Sequence, residues 1–482
     1  MVSPLELYHQ RLGTPWLQAA ETPLSAQFEA VFEQRYRQLL KRDSPPAVLL
    51  AESQPAVFLA SFLAACAAQC PVFLANSRWG DREWRAALTL ARPSLVWRDQ
   101  MTRPGARQGS EAEIATEAEI ATEGGAVPEP GWIMIPTGGT SGQLKFAIHT
   151  WDTLSASVQG FCQHFGLDTV NACCTLPLYH VSGLMQFMRT LLSGGQLVIQ
   201  PWRSLAGLLA FEPEGYFLSL VPSQLQGLLT SPEAIAALRR FAAVLVGGGP
   251  AWPALLQQGR SLGLPLAPTY GMTETASQVA TLKPQDFLGG QAGCGPSLPH
   301  AQVRVIDEQG RTTQGTGRIA IAAQSLYLGY YPDASYPNQL ETEDLGYIDA
   351  EGLHPVGRRS EVIITGGENV FPAEVEAAIW ATGLVTDVAV VGVSDERWGE
   401  TPVALYVPQQ SGLGSASPSP PGSGGIEAAL AAQLSRYKHP SRWLAVRQLP
   451  RTPQGKLDRL ALKALAHQAS APSVPVSGSA QS

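Results

Sequence analysis

Ile135-Pro-Thr-Gly-Gly-Thr-Ser-Gly-Gln-Leu-Lys145 is the most informative segment of the 482-residue chain. It follows an apolar run of strand length, and its three glycines let the backbone come close to a ligand. Backbone N–H groups in such a loop form a nest for an anion, to which Thr137, Thr140 and Ser141 add hydroxyls and Lys145 a charge. The order of a Walker A loop is absent. The segment predicts a phosphate loop, although an ordinary glycine-rich turn has the same pattern.

A second segment, Tyr270-Gly-Met-Thr-Glu-Thr-Ala-Ser277, places hydroxyl and acidic side chains together after a strand predicted at 266–269. The Thr273 hydroxyl can bond a phosphate oxygen, and Glu274 offers the carboxylate oxygens that a bridging magnesium ion prefers. Thr and Glu are also favoured where a helix begins. The segment therefore predicts a phosphate and magnesium site, a helix N-terminus, or both.

Two further segments lie towards the end of the chain. Thr-Glu-Asp-Leu-Gly-Tyr-Ile-Asp at 342–349 is followed by Gly-Arg-Arg-Ser-Glu at 357–361. The Asp344 carboxylate can accept hydrogen bonds from two ribose hydroxyls with Arg358 beside it, but a surface turn with a weak salt bridge fits equally. Lys456 ends Pro-Arg-Thr-Pro-Gln-Gly-Lys, which by itself is typical of an exposed loop.

Composition narrows the classes of partner. Charged residues make up 15% of the chain and the formal net charge is −7, so no basic face is evident for nucleic acid or an anionic membrane. The six cysteines lack zinc-ligand spacing and lie mostly in apolar runs, which predicts reduced thiols in a cytoplasmic protein. The uncharged segment 55–75 predicts a buried helix from about residue 57 and then a strand, not a membrane span.

Apolar runs of strand length alternate with helical patterns, which predicts an α/β fold with buried, layered sheets. Beyond about residue 347 the pattern is that of a small α+β unit. We predict a large N-terminal domain at 1–357, a mobile C-terminal domain at 358–468 and a disordered tail at 469–482. The duplicated EAEIAT at 111–122 predicts a surface insertion, and the Ser, Pro and Gly content of 410–425 predicts a flexible loop.

Taken in order, these segments resemble the motifs of the adenylate-forming superfamily of acyl- and aryl-CoA synthetases, firefly luciferase and peptide-synthetase adenylation domains. The resemblance covers about residues 12–466. The family's phosphate loop, YGxTE, TGD, hinge and PxTxxGK motifs are matched by residues 137–145, 270–274, 342–344, 357–361 and 450–456. The chain departs from these motifs at Gly138 (usually Ser), Leu144 (usually Pro), Glu343 (usually Gly) and Glu361 (usually Asp).

The resemblance implies a two-step reaction with ATP, magnesium and coenzyme A. A carboxylate attacks the α-phosphorus of ATP to give acyl-AMP and pyrophosphate, and a thiol then displaces AMP. It implies that Lys456 acts in the first step and that the small domain rotates about a hinge at Ser360 before the second. The implied ATP-binding residues are Thr137, Gly138, Gly139, Thr140, Ser141, Lys145, Gly248, Gly249, Pro250, Tyr270, Thr273, Asp344, Arg358 and Lys456. The implied catalytic residues are Lys456, Thr273, Glu274 (on magnesium) and His180, and coenzyme A is assigned Gly366, Gly367 and Glu368.

The acyl pocket is expected at 176–188, and the implied substrate-binding residues are His180, Ser182, Gln186, Gly271 and Met272. A core histidine bonded to backbone is the alternative for His180. In three segments (136–151, 176–188 and 364–372) the chain resembles the o-succinylbenzoate–CoA ligases of the menaquinone and phylloquinone pathway, cyanobacterial type. Such a substrate carries a second carboxylate, for which His149, Ser182, Gln186 and Arg189 are unranked candidates.

Three other functions stay open at this point. The chain can be a different aryl- or acyl-CoA ligase, such as a benzoate or cinnamate type, or an adenylation enzyme that loads a separate carrier protein. It can also be a non-catalytic binding protein, against which the retention of Lys456, Glu274 and Asp344 argues. The oligomeric state is open, with a homo-oligomer among the alternatives.

Overall fold

The computed structural model describes residues 2–19, 22–99, 127–138, 144–203, 211–395, 397–409, 424–431, 433–451 and 457–468. Outside these ranges lie the duplicated segment 111–122, residues 410–423 of the predicted loop, the tail 469–482, and the predicted site residues Gly139, Thr140, Ser141 and Lys456. Two units are distinguished by their internal contacts. The larger comprises Met1–Ala251, Gln257–Thr342 and Gly346–Pro355, and the smaller comprises Trp252–Leu256, Glu343–Leu345 and Val356–Ser482.

Many helices begin where the sequence offers a proline or a capping side chain. Pro55 opens the helix predicted from about residue 57, and the side chains of Ser3 and Thr150 accept backbone hydrogen bonds from the first turns of their helices. The helices of the described residues are α1 (Pro4–Arg11), α2 (Ser25–Leu40), α3 (Pro55–Ala67), α4 (Asp81–Ala91), α5 (Trp151–Phe165), α6 (Val181–Ser193), α7 (Pro222–Leu228), α8 (Pro232–Leu238), α9 (Pro253–Ser261), α10 (Pro284–Leu288), α11 (Pro372–Ala381), α12 (Gly424–Ala431) and α13 (Arg459–Gln468).

Apolar runs between residues 17 and 281 pair into an eight-stranded sheet, counted in the described residues. In spatial order, with numbers that follow the chain, its strands are β13 (Ser277–Thr281), β12 (Leu266–Met272), β11 (Ala243–Val246), β10 (Tyr216–Leu220), β8 (Asn171–Cys174), β9 (Leu197–Ile199), β1 (Leu17–Ala19) and β2 (Thr22–Pro23). Neighbours from β12 to β1 are parallel, and the edge strands β13 and β2 are antiparallel to their neighbours. The buried parallel centre explains why these strands read as short apolar runs.

A second sheet contains the hairpin that carries the glycine-rich segment. In spatial order it consists of β17 (Asp333–Ala334), β16 (Gly329–Tyr330), β7 (Leu144–His149), β6 (Ile133–Gly138), β4 (Val72–Leu74), β3 (Val48–Ala51) and β5 (Leu95–Arg98). The pairs β6–β4, β4–β3 and β3–β5 are parallel, whereas β6 and β7 are antiparallel. Of the glycine-rich segment, Thr137 and Gly138 pair with Lys145 and Leu144 at one end of this hairpin.

Helix α3 is buried along most of its length and packs in a core cluster with Phe28, Phe32 and Phe187.

A smaller sheet consists of β14 (Ala301–Ile306), β15 (Gly317–Ala323), β18 (Leu340–Asp349) and β19 (Gly352–Arg358). Among the residues that the structure describes, no helix is both long and apolar enough to cross a bilayer.

The smaller unit is built on a sheet with its own apolar core. Its strands are β20 (Ile363–Thr365), β21 (Glu368–Val370), β22 (Val385–Asp395), β23 (Gly399–Pro408) and β24 (Arg442–Ala445). Strand β23 is its centre, since it forms a long antiparallel pair with β22 and also pairs with β20 and β24. Helices α11 and α12 pack in its core through Val375, Ile379 and Ile426. On other positions of β22 and β23, Val391 and Val403 pack in a cluster with Leu462 of α13.

Candidate active site

The loops of the predicted site follow the carboxyl ends of neighbouring parallel strands. β8 leads towards His180, β11 leads to residues 247–250, and β12 runs into Tyr270 and Gly271. Because β8, β10, β11 and β12 are parallel neighbours, these loops leave the same edge of the sheet. The sheet thus collects segments that are far apart in the sequence.

Glycines permit close backbone approach at this edge. A Cβ atom on Gly247 would lie 2.8 Å from Cγ2 of Thr269, and one on Gly271 would lie 2.1 Å from the carbonyl oxygen of Ser277. Gly248 has a φ of +78°, a conformation that favours glycine. The backbone itself therefore requires glycine at these positions beside the predicted site residues Gly249 and Pro250.

The glycine-rich segment joins β6 to β7, and Thr137 pairs with Lys145 across the hairpin. Lys145 is exposed, and its Nζ lies 5.1 Å from the centroid of the Tyr330 ring. The hydroxyl of the same tyrosine donates a 2.5 Å hydrogen bond to Oε1 of Glu274. Tyr330 therefore links the lysine of the predicted phosphate loop to the predicted magnesium residue.

Glu274 is the carboxylate that fits the implied magnesium ion. In the described part of the chain, no group of three or more His, Cys, Asp or Glu side chains is placed to hold a metal ion by itself. A site with one protein carboxylate suits magnesium, which keeps several waters and takes further ligands from phosphate oxygens.

Thr273 and Glu274 lie in a single turn of 3-10 helix, Thr273–Thr275, and not at the start of a longer helix. Strand β12 continues to Met272, beyond its predicted end at 269, because β13 pairs with it. Directly after the turn, Ala276 and Ser277 have φ values of 48° and 90°. Non-glycine residues rarely adopt these left-handed conformations, so the backbone is strained beside the predicted phosphate contacts.

Helix α6 carries the residues predicted for the acyl pocket. His180 is its N-cap residue and is 9% exposed. Gln186 donates from Nε2 to the carbonyl oxygen of Ser182 over 3.0 Å, while its buried Oε1 has no hydrogen-bond partner among the described residues. Ser182, Gln186 and Arg189 share one face of the helix, since they are four and three residues apart.

Arg189 is a buried cation on this face, 3% exposed. Its Nη2 donates to Oε1 of Gln278 over 2.7 Å and to Oγ of Ser277 over 3.2 Å, and its guanidinium lies over the ring of Phe161. Its Nε has no partner among the described residues. Burial lowers the pKa of Arg189 to about 10, so the side chain is still charged at neutral pH beside neutral hydrogen-bond partners.

Sequence profiles of known families match both parts of the chain. The profile of the AMP-binding enzyme family matches residues 40–331, and that of the AMP-binding enzyme C-terminal domain matches residues 374–456. The chain belongs to the AMP-binding enzyme family. The predicted resemblance to adenylate-forming enzymes is thereby confirmed.

Two curated relatives of this AMP-binding enzyme carry the same name. A 2-succinylbenzoate–CoA ligase of Geobacillus sp. (strain WCH70) is 33% identical over 342 residues, which are 68% of each chain. One of Enterococcus faecalis is 33% identical over 339 residues, 67% of each chain.

Solved structures of a similar protein confirm the predicted α/β fold with a large N-terminal and a small C-terminal domain. The o-succinylbenzoate CoA synthetase of Bacillus subtilis, in complex with the acyl-adenylate OSB-AMP, is 26% identical with a TM-score of 0.77, and covers 95% of this chain and 97% of its own. The same synthetase in complex with ATP and magnesium is 25% identical with a TM-score of 0.76. That match covers 95% of this chain and 98% of the synthetase chain.

The smaller unit of this AMP-binding enzyme holds the remaining predicted residues. Arg358 Nε donates to Oδ1 of Asp344 over 2.8 Å. Ser360 lies in the 3-10 turn Arg359–Glu361. Gly366 and Gly367 have positive φ values, and Glu368 opens β21. The roles of these residues in binding ATP, moving a domain or binding coenzyme A stay predictions.

His149 does not suit the role of carboxylate donor for which it was one of four candidates. It is fully buried, with Nε2 2.7 Å from the carbonyl oxygen of Thr273 and Nδ1 3.0 Å from Oγ1 of Thr153. Because both ring nitrogens have partners, neither is available to a substrate. No sequence pattern indicated Tyr330, because its contact with Glu274 joins strand β16 to a 3-10 turn that is distant along the chain.

Proposed function

We propose that this AMP-binding enzyme is an AMP-forming acid–thiol ligase that converts 2-succinylbenzoate, ATP and coenzyme A to 2-succinylbenzoyl-CoA in menaquinone or phylloquinone biosynthesis. The names of the curated relatives and of the Bacillus subtilis synthetase support the reaction class. The observation that carries the choice of acid is the buried, charged Arg189. A cytoplasmic location belongs to the proposal and is supported by the six cysteines, all of which are free.

Arg189 supports a substrate with two carboxylates. A buried charge with neutral partners is costly, and an anion that binds beside it recovers part of that cost. His149 is already bonded at both ring nitrogens, and the Gln186 amide donates within its own helix. Of the four candidates, Arg189 is therefore the residue we assign to the carboxylate that is not activated, with His180 and Ser182 nearer the start of the same helix.

In the first half-reaction a carboxylate oxygen attacks the α-phosphorus of ATP, and the bond to pyrophosphate breaks. We assign phosphate contacts to Thr137, Lys145 and Thr273 and the α-phosphate contact to Lys456. A magnesium ion on Glu274 would neutralise charge on the phosphates. Fixed donors and charges of this kind typically contribute about 10²–10³ in rate each.

In the second half-reaction the thiol sulfur of coenzyme A attacks the acyl carbonyl carbon, and AMP leaves with the electron pair of the broken C–O bond. Gly366, Gly367 and Glu368 are assigned to this step. Asp344 is assigned to the ribose hydroxyls, and its hydrogen bond from Arg358 supports that role by orienting the carboxylate.

A panel of acids tests the proposal: AMP release is measured with ATP, magnesium and coenzyme A on 2-succinylbenzoate, benzoate, cinnamate and fatty acids. We expect turnover with 2-succinylbenzoate alone. Turnover with a monocarboxylate instead would refute the substrate and retain the ligase class. Pyrophosphate release without any coenzyme A turnover would favour an enzyme that loads a carrier protein.

The half-reactions are separated by Lys456→Ala. This variant should lose pyrophosphate release while it still forms thioester from supplied acyl-AMP. Equal loss in both assays would contradict the role of Lys456.

A further inference from the structure

The turn that carries Thr273 and Glu274 is held from outside along its whole length. Four consecutive carbonyl oxygens each accept a hydrogen bond from outside the turn, and the donors come from three segments of the chain. The donors are His149 Nε2 to Thr273 (2.7 Å), the backbone N–H of Tyr327 to Glu274 (2.8 Å), Ser325 Oγ to Thr275 (2.8 Å) and Ser157 Oγ to Ala276 (2.6 Å). We call His149, Ser157, Ser325 and the Tyr327 N–H the carbonyl cradle.

The cradle holds a backbone that favours another conformation. Ala276 and Ser277 adopt left-handed φ values without being glycine. Within the turn, the Ala276 N–H donates to the Thr273 carbonyl oxygen over 3.1 Å, and Thr275 Oγ1 accepts from the Met272 N–H over 3.1 Å. Strained conformations persist where the surroundings fix them, and the three side chains of the cradle are at most 1% exposed.

His149 has the most direct effect of the three, because it bonds the carbonyl of Thr273 itself. A carbonyl oxygen only accepts, so Nε2 carries the proton, and Nδ1 accepts from the hydroxyl of Thr153. Burial lowers the pKa of His149 to about 4, so the ring keeps this neutral form at neutral pH. Thr153 in turn lies in the first turn of α5, which fixes the ring from the opposite side.

We propose that His149, Ser157 and Ser325 are positioning residues, which set the Thr273 hydroxyl and the Glu274 carboxylate for the nucleotide by fixing the carbonyls of their turn. The inference rests on the proposed roles of Thr273 and Glu274 in binding ATP and magnesium, and it does not depend on which acid is activated. Buried donors that orient a ligand-binding group typically change affinity or activity about 10- to 100-fold when removed.

The matched pair His149→Gln and His149→Asn tests the proposal. A glutamine amide nitrogen stands near the place of Nε2 and can still donate to Thr273, whereas asparagine reaches only the place of Nδ1 and can serve only Thr153. Binding of ATP with magnesium is measured by calorimetry without any acid, and pyrophosphate release is measured with whichever acid the unchanged enzyme uses. We expect His149→Gln to stay within about threefold of the unchanged enzyme and His149→Asn to lose about 10- to 100-fold in both measurements.

Three results would overturn the proposal. The first is equal behaviour of the two variants. The second is that His149→Asn loses pyrophosphate release only in proportion to its unfolded fraction, measured by near-ultraviolet circular dichroism. In that case the folded fraction would bind ATP as tightly as the unchanged enzyme does. If His149→Asn does not fold, Ser157→Ala and Ser325→Ala are measured instead. The third contradicting result is then an unchanged ATP affinity in both of these variants. Because ATP affinity is read without an acid, failure of the substrate assignment leaves this test intact.

Discussion

Arg189 is buried and Arg459 is partly buried, with 24% of its side chain exposed, and the two arginines differ in the charge of their partners. Arg459, in the smaller unit, donates to Glu376 over 2.8 Å and to the Val390 carbonyl oxygen over 3.0 Å, and lies 3.4 Å from Glu361. Burial opposes its charge, yet the two glutamates raise its pKa above the ordinary value. Arg189, in the larger unit, has the neutral partners Gln278 and Ser277, and burial lowers its pKa.

The difference separates a structural cation from one that is prepared for a ligand. A buried ion pair is satisfied within the fold, so breaking it damages stability. A buried cation with neutral partners destabilises the free protein slightly, because no negative charge lies beside it. A bound anionic ligand supplies that charge. We therefore expect replacement of Arg189 to change substrate selection and replacement of Arg459 to change stability.

Replacement of Arg189 should give the largest effect, and it should appear in substrate selection. We expect Arg189→Gln to lower kcat/KM for 2-succinylbenzoate about 10²–10³-fold, since one partner of a desolvated charge pair is removed. We assign the ring carboxylate to Arg189 and the side-chain carboxylate to activation. Any turnover of 4-oxo-4-phenylbutanoate, which keeps the side-chain carboxylate and lacks the ring carboxylate, should therefore change less than about tenfold. Arg189→Lys is the matched control that keeps the charge. Its kcat/KM for 2-succinylbenzoate should lie between the values of the unchanged enzyme and Arg189→Gln. An equal loss on both acids would contradict the assignment.

Replacement of Arg459 should appear in stability instead. Arg459→Met leaves Glu376, which is 7% exposed, without its cation, and we expect the free energy of unfolding of the smaller unit to fall by about 3 kcal/mol. The double variant Arg459→Met with Glu376→Leu should recover most of this loss, because no uncompensated charge remains. Urea unfolding followed by tryptophan fluorescence measures both. A double variant as unstable as the single one would show that packing, and not charge, is responsible.

The contrast between these arginines shows which features of the site can be predicted from the sequence. The sequence made Arg189 one of four candidates, because the implied substrate needs a donor for its second carboxylate. It did not rank the candidates, because burial and the bonds of His149 to Thr273 and Thr153 depend on segments distant in the chain.

The fold shows the same limit. The helix and strand in 55–75 were predicted from local patterns and are present as α3 and β4. The extension of β12 to Met272 was not predicted, since it requires pairing with β13. Motif spacing indicated Thr273 and Glu274, but the donors that hold their turn come from β7, α5 and the segment before β16. Lys456 and residues 139–141 lie outside the described ranges, so their roles stay predictions.

Buried histidines should give the next effect, in the pH dependence of stability. Burial lowers the pKa of His149 and of His300 to about 4, with the charge of Arg189 contributing at His300. The unfolded chain binds these protons near pH 6.5, so the free energy of unfolding is unaffected above that pH and falls as the pH drops towards 4. We expect a loss of about 2 kcal/mol per histidine between pH 6.5 and pH 5.

His300→Gln measures one such contribution. It should flatten the pH dependence of unfolding, followed by urea denaturation at several pH values. An unchanged slope in His300→Gln would mean that His300 titrates alike in the folded and unfolded chains.

An exposed arginine completes the comparison and should give the smallest effect. Arg240 bonds Glu214 over 2.8 Å and also contacts Glu212, so it has two carboxylate partners as Arg459 does. Its partners are largely solvated, however, and water and mobile ions replace the pairing when the side chain is removed. We expect Arg240→Ala to leave the urea midpoint unchanged within error at ordinary salt. A loss as large as that of Arg459→Met would show that the number of partners, and not burial, determines what an arginine contributes to this fold.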